Sequence, residues 1–173
     1  MLLKVLGIIM ILLSGSLIGI SFSKEYEMRI EHLRQFKKML MLLKGEIKYN
    51  NSGIYESVIT VSERIENIVG IFLRNVMENF NKNNMSLKKA WDYAVENVLA
   101  PGTKLKEKEL LYIKDLGTNL GITDKETQIN NILSCIEAID LSIDELNENK
   151  VEKCKLYKTL GVVAGAFLTI VLI

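Results

Sequence analysis

The stretch that decides the fold is 123–146, TDKETQINNILSCIEAIDLSIDEL. Its apolar residues recur at alternating steps of three and four, at Ile129, Ile132, Ile136, Ile139, Ile143 and Leu146. This spacing is typical of an α-helix that buries one seam against another helix. Thr123 and Glu126 have the spacing of a capping box, which predicts a helix start at Thr123. No Pro or Gly follows before Gly161, so we predict one long helix.

The beginning of the chain mirrors this end. After Lys24 the sequence becomes polar but keeps an apolar seam with the same alternation, at Leu33, Phe36, Leu40, Leu43 and Ile47. The pattern predicts a first long helix that ends near Tyr49, where a polar turn follows. We expect the first and last helices to run antiparallel, with the middle of the chain at their far end.

Both ends of the chain are uncharged segments. Residues 5–23 form a run of nineteen uncharged residues, which as a helix spans about 28 Å and matches a hydrocarbon core of roughly 30 Å. The fifteen residues 159–173 span only about 22 Å, which places Lys158 at the interface. We therefore predict transmembrane helices over 1–23 and 159–173.

The charge distribution predicts the orientation of these spans. Basic residues follow the first uncharged run and precede the second. On the other side of the two runs, Lys4 is the only basic side chain. The positive-inside rule then puts the central domain, 24–158, in the cytoplasm. One alternative stays open: the basic start, the apolar run and the small residues Ser21 and Ser23 are also features of a signal peptide.

The middle of the chain contains four shorter helical patterns. We predict helices over 54–65, 67–80, 87–99 and 104–120, with Ser86 as an N-cap and Gly121 as a C-cap. Together with the two long helices they give an all-α fold. It is a six-helix cytoplasmic bundle flanked by N- and C-terminal transmembrane helices.

Composition argues against several functional classes. The 22 basic and 21 acidic residues are mixed along the chain, so no basic face predicts nucleic-acid binding. The single histidine, His32, lies on a charged helix face, where we expect a surface residue. Cys135 and Cys154 are about 28 Å apart on one helix, too far for a disulfide, which needs Cα atoms within about 7 Å. We predict no enzyme activity, no metal and no cofactor.

Two kinds of candidate site remain. Each predicted span has a pair of glycines four residues apart, Gly15 with Gly19 and Gly161 with Gly165, a spacing that lets membrane helices pack closely. The acidic residues of the last helix form either a solvated face or a docking strip for a basic partner: Asp140, Asp144, Glu145 and Glu148.

The adjacent aromatic residues Trp91 and Tyr93 have different predicted roles. Trp91 lies on the apolar stripe of its helix, and we predict that it belongs to the core. Tyr93 points elsewhere and is a candidate surface anchor for a partner.

Several short segments resemble the stage III sporulation protein AB family of endospore-forming bacteria. They follow one another in the family's order along the whole chain: 43–49 (LKGEIKY), Ala90-Trp91, 115–121 (DLGTNLG) and 155–161 (KLYKTLG). The family's bundle in turn resembles the F-type platform domain of type II secretion and type IV pilus machines. The chain departs from many family members at Ser52-Gly53, where they place a proline.

The resemblance implies a role in spore formation. The protein would lie in the mother-cell membrane around the forespore, as part of the channel complex that joins the two cells. It would dock a secretion-type ATPase and contact other stage III sporulation membrane proteins. The residues alone also allow a membrane-anchored helical scaffold or signalling protein that is unrelated to secretion.

Overall fold

The computed structural model describes residues 2–49, 53–83, 85–121 and 124–172. Over these residues the chain forms six main helices and no strand. They are α1 (Leu2–Tyr49), α2 (Ile54–Arg64), α3 (Ile68–Lys82), α4 (Leu87–Ala94), α5 (Glu107–Asn119) and α6 (Lys125–Leu172). Helix α4 continues through a π-helical segment, Val95–Leu99, into a last turn, Ala100–Gly102. The prediction of an all-α fold is confirmed.

The chain divides into two compact units. One, here the bundle unit, is Arg29–Ile143, and the other, here the terminal unit, comprises Met1–Met28 and Asp144–Ile173. In the bundle unit, Lys37 Nζ lies 2.6 Å from Asp140 Oδ1, and Lys125 Nζ donates to the Lys48 carbonyl oxygen. These two contacts show that α1 and α6 run antiparallel there, as predicted. The predicted boundaries of the central domain, 24–158, stay a prediction.

The seam predicted for α1 is confirmed. Leu33, Phe36, Leu40 and Leu43 are fully buried, and Ile47 is almost fully buried. The buried face is wider than the seam, because it also includes Ile30, Met39 and Glu46. A helix that packs against several neighbours needs such a broad face, whereas an a/d seam serves only one partner.

The seam predicted for α6 is only partly right. Ile132, Ile139, Ile143 and Leu146 are buried, but Ile129 and Ile136 are half-exposed. The positions before these two isoleucines, Gln128 and Cys135, are buried instead, as is Ser142. The buried face therefore lies to one side of the isoleucine stripe. The reason is a second neighbour, since the Cys135 thiol contacts the Tyr112 carbonyl oxygen of α5 at 3.8 Å.

The start of α6 differs from the predicted capping box. Thr123 lies outside the described residues, and α6 begins at Lys125. Asp124 is the cap: its Oδ1 accepts hydrogen bonds from the backbone N–H groups of Glu126 and Thr127, both at 3.0 Å. An aspartate at this position satisfies donors that have no partner within the helix.

Other boundaries deviate from the predicted ones by a few residues. The Ser86 hydroxyl accepts from Lys89 N, which confirms the N-cap of α4. Helical structure then continues to Gly102 instead of ending at Leu99, and α5 begins at Glu107 instead of Lys104. Gly121 has a φ of +81°, the left-handed conformation expected just after a helix.

The two ends of the chain are helical, as parts of α1 and α6. Within the part of the chain that the structure describes, no helix is both long and apolar enough to cross a bilayer. The predicted transmembrane helices over 1–23 and 159–173 are thus not supported by the structure, and they stay predictions.

Candidate functional site

The centre of the bundle unit is a column of three aromatic rings. Phe72 of α3 lies between Phe36 of α1 and Trp91 of α4, and all three side chains are fully buried. Its ring centroid is 5.9 Å from that of Phe36 and 4.8 Å from that of Trp91, which it meets edge-on at 84°. Edge-to-face pairs of this kind stabilise by about 0.5–1.5 kcal/mol beyond their buried area. The column fixes α1, α3 and α4 to one another.

Trp91 also joins α4 to α5. Its indole Nε1 donates a hydrogen bond of 2.7 Å to the Ile113 carbonyl oxygen. The ring lies against Gly117, where an added Cβ would be 2.2 Å from Trp91 Cδ1. Only glycine leaves room for the indole at this point of α5. The prediction that Trp91 belongs to the core is confirmed.

An ion pair joins α1 to the start of α5. Arg29 Nε donates to both carboxylate oxygens of Glu109, at 3.0 and 3.1 Å, and Glu109 is only 1% exposed. Glu109 Oε2 also accepts from the backbone N–H of Lys106 at 2.6 Å. The buried carboxylate therefore caps α5 and pairs with a cation at once, and both interactions offset the cost of its burial.

His32 lies one turn further along α1 and is half-buried, so the prediction of a surface histidine is only partly right. Its Nδ1 accepts a hydrogen bond of 3.1 Å from Lys104 N, in the connection before α5. Burial lowers the pKa of His32; the Glu31 carboxylate opposes this shift and the Lys104 ammonium adds to it. Because the accepting Nδ1 must carry no proton, the hydrogen bond and the lowered pKa both favour the neutral ring.

Two more ion pairs connect α1 to its neighbours. Glu46, almost fully buried, lies 2.7 Å from Arg64 at the end of α2. Lys37 donates to both oxygens of Asp140 on α6, at 2.6 and 2.7 Å. Of the predicted acidic docking strip, Asp140 therefore already has a partner within the chain.

A groove opens between α5 and α6. We call it the α5–α6 groove; its volume is about 200 Å³ and it is lined by Tyr112, Asp115, Leu116, Asn119, Asn131, Ser134, Cys135 and Ala138. Cys135 is buried at its floor. Burial raises the pKa of the Cys135 thiol to about 12, and the nearby Asp115 charge acts in the same direction. The thiol therefore stays protonated and unreactive at neutral pH.

A second, larger pocket of about 430 Å³ lies where α2, α3, the start of α4 and the residues just after α5 meet. It is lined by Ile54, Tyr55, Phe80, Ser86, Leu87, Lys88, Leu120 and Gly121. The wall is mainly apolar, and its one charged residue, Lys88, is exposed.

The remaining predicted site residues are not brought together. Tyr93 is 43% exposed on α4, as expected for a surface residue. Asp144, Glu145 and Glu148 are exposed and belong to the terminal unit, whereas Asp140 belongs to the bundle unit. Gly15 and Gly19 lie in α1, and Gly161 and Gly165 in α6; their surroundings lie outside the described residues.

Within the described ranges, no group of three or more His, Cys, Asp or Glu side chains could hold an ion. The clusters that do form are ion pairs and caps at helix junctions, so their chemistry is that of holding helices together.

The sequence pattern did not reveal the ion pair of Arg29 with Glu109 or that of Glu46 with Arg64. For Glu109 a signal existed, because a glutamate at the third position of a helix is a common capping residue. No local signal identifies Arg29, which is eighty residues away from Glu109.

Comparison with known proteins gives concordant results. A family model described as "Stage III sporulation protein AB" matches residues 4–173. The chain is 25% identical over 170 residues to the stage III sporulation protein AB of Bacillus subtilis (strain 168), covering 98% of this chain and 99% of the relative. A solved structure of a stage III sporulation protein AB has the same fold, with a TM-score of 0.64 at 22% identity. That match covers 72% of this chain and 98% of the solved one.

Proposed function

The chain belongs to the stage III sporulation protein AB family, and from this we propose that it is a non-enzymatic membrane component of the channel complex between mother cell and forespore. The observation that carries the proposal is the extent of the family match, which covers residues 4–173 and so includes both apolar ends as well as the bundle. Relatives are named as sporulation proteins and not as enzymes.

Attachment to the mother-cell membrane around the forespore is the first part of the proposal. It is supported by the uncharged runs 5–23 and 159–173 and by the basic residues next to them. In this arrangement the bundle unit faces the mother-cell cytoplasm. The glycine pairs Gly15/Gly19 and Gly161/Gly165 then pack the spans against each other or against other stage III sporulation membrane proteins.

The second part is that the protein docks the secretion-type ATPase of the same system. An ATPase partner suits a chain without a nucleotide-binding loop of its own. The docking candidates are exposed groups: Tyr93 on α4, and Asp144, Glu145 and Glu148 on α6. Asp140 contributes less to docking, because it already pairs with Lys37.

Co-purification from sporulating cells tests this proposal. The full-length chain, tagged and expressed at its native level, is isolated from detergent-solubilised membranes. We expect the ATPase in the eluate, and we expect less of it with the triple variant Asp144→Lys, Glu145→Lys, Glu148→Lys. The matched control is the triple variant Glu63→Lys, Glu66→Lys, Glu78→Lys, which reverses three exposed charges on α2, α3 and the connection between them.

Two negative outcomes would refute different parts of the proposal. Absence of the ATPase in every eluate would refute the docking role and favour the alternative of a membrane-anchored scaffold. Recovery of the chain from the soluble fraction would refute the membrane part.

Gly161→Leu or Gly165→Leu tests the span packing: we expect fewer membrane partners in the eluate while the bundle unit melts at an unchanged temperature.

A further inference from the structure

One surface of the bundle unit is an exposed basic face on α1. Arg34, Lys38 and Met41 are spaced four and three residues apart, which puts them on the same side of the helix. All three are exposed, and Met41 is 53% exposed although it is apolar. Among the described residues, neither Arg34 nor Lys38 is in an ion pair. We call these three residues the basic face.

The α5–α6 groove has the opposite character. Asp115 lines it and Glu137 lies on α6 one turn from Ser134; both carboxylates are exposed. Neither is in an ion pair with another described residue. Leu111, 50% exposed, lies one turn before Asp115 on α5 and adds apolar surface beside the groove. Small side chains, Ser134 and Ala138 among them, keep the groove open.

We propose that two copies of this chain associate by placing the basic face of one copy on the α5–α6 groove of the next. The groove volume of about 200 Å³ accepts one unbranched side chain, and methionine adapts its shape to irregular gaps, so Met41 enters. Lys38 and Arg34, on the preceding turns of α1, then reach the carboxylates of Asp115 and Glu137. Exposed charges of opposite sign on the two surfaces steer and orient the contact.

The surfaces of the bundle unit indicate a second copy of this chain as the occupant of the α5–α6 groove. Both halves of the contact are present in the bundle unit, and their charges are opposite: a cationic helix face that ends in an apolar residue, and a groove with exposed carboxylates. Because the two halves are different surfaces, the contact is heterologous. Each copy keeps one unused half, so the contact repeats into a ring or a row. This inference does not depend on ATPase docking.

Self-association of the purified full-length chain, in mild detergent, tests the contact by mass photometry and sedimentation velocity. Two single variants each disable one half: Met41→Asp puts a negative charge at the residue that enters the groove, and Ser134→Trp fills the groove. We expect dimers and larger species for the unaltered chain, and monomers for either variant alone. A mixture of the two variants should form dimers and nothing larger, because only one intact pair of halves remains.

The control is Ile71→Asp, at an apolar α3 position that is 47% exposed and lies on neither surface; it should associate like the unaltered chain. If Met41→Asp or Ser134→Trp melts early, the charge variants Lys38→Glu and Glu137→Lys replace them, since both change exposed residues. Each should weaken association several-fold, and the double variant should restore it. A monomeric unaltered chain, or variants that associate normally, would overturn the proposal.

Discussion

The two sides of α5 differ in how closely they pack. Toward α4, Gly117 lies directly against the indole of Trp91, where not even a methyl group fits. Toward α6, the same helix leaves a groove of about 200 Å³ between Asn119 and Ser134. Close packing on one side and an open groove on the other predict that substitutions on the two sides of α5 differ in their effect on stability.

This comparison predicts unequal costs for substitutions on the two sides. Trp91→Ala removes a buried indole, its hydrogen bond to Ile113 and its contact with Phe72. We expect a loss of about 3–5 kcal/mol in the free energy of unfolding, measured by urea denaturation. Tyr93→Ala, on the exposed face of the same helix, is the control and should cost little. Equal losses for the two variants would contradict the packing described here.

Gly117→Ala should destabilise the protein by about 1–3 kcal/mol, because the new methyl group would overlap Trp91. The matched control is Gly45→Ala on α1, where a Cβ would meet nothing within 4 Å. At that open helical position alanine should stabilise by about 0.5–1 kcal/mol. Thermal unfolding of both variants measures the difference in sign. A stabilised Gly117→Ala variant would show that the indole does not lie against α5.

A smaller effect on stability is expected from His32, whose ring contacts the connection before α5. The folded protein favours neutral His32, since burial lowers its pKa from the usual 6.5. Protonation therefore favours the unfolded chain: the His32 contribution is complete above about pH 6.5 and declines as pH falls toward the folded-state pKa. The melting temperature should drop less between about pH 7.5 and pH 5.5 in His32→Gln than in the unaltered chain. Identical drops would remove this role of His32.

The smallest effect on the free energy of unfolding is expected for a substitution in the α5–α6 groove. Ser134→Trp adds a large side chain at an exposed position on the open side of α5, so the free energy of unfolding should stay within about 0.5 kcal/mol of the original. Urea denaturation of this variant beside Gly117→Ala tests the comparison in one experiment. A large loss of stability in Ser134→Trp would mean that the groove closes in solution.

Much of the fold follows from local patterns in the sequence. The apolar period located the helices, Ser86 and Gly121 located two of their ends, and the seam of α1 identified its buried residues. These features depend on residues within one or two turns of each other. The shift of the buried face on α6 was missed because it depends on α5, which is a distant neighbour in sequence.

The candidate sites were harder to predict from the sequence than the helices. That Trp91 meets Gly117, and that Arg29 pairs with Glu109, depends on how helices far apart in sequence come to lie side by side. The α5–α6 groove could not be predicted for the same reason, because a groove is defined by the space between two helices. Asp140 seemed available as part of an acidic strip, and only the structure shows its pairing with Lys37.

The central claim, which rests on the proposed function, is that this chain is needed for spore formation. Counting heat-resistant spores after deletion of its gene tests the claim most directly. We predict that the count falls to background and that the unaltered chain restores it. Ser134→Trp, equally abundant and equally stable, should restore it only in part, and Ile71→Asp should restore it fully. Undiminished spore formation in the deletion strain would contradict the account.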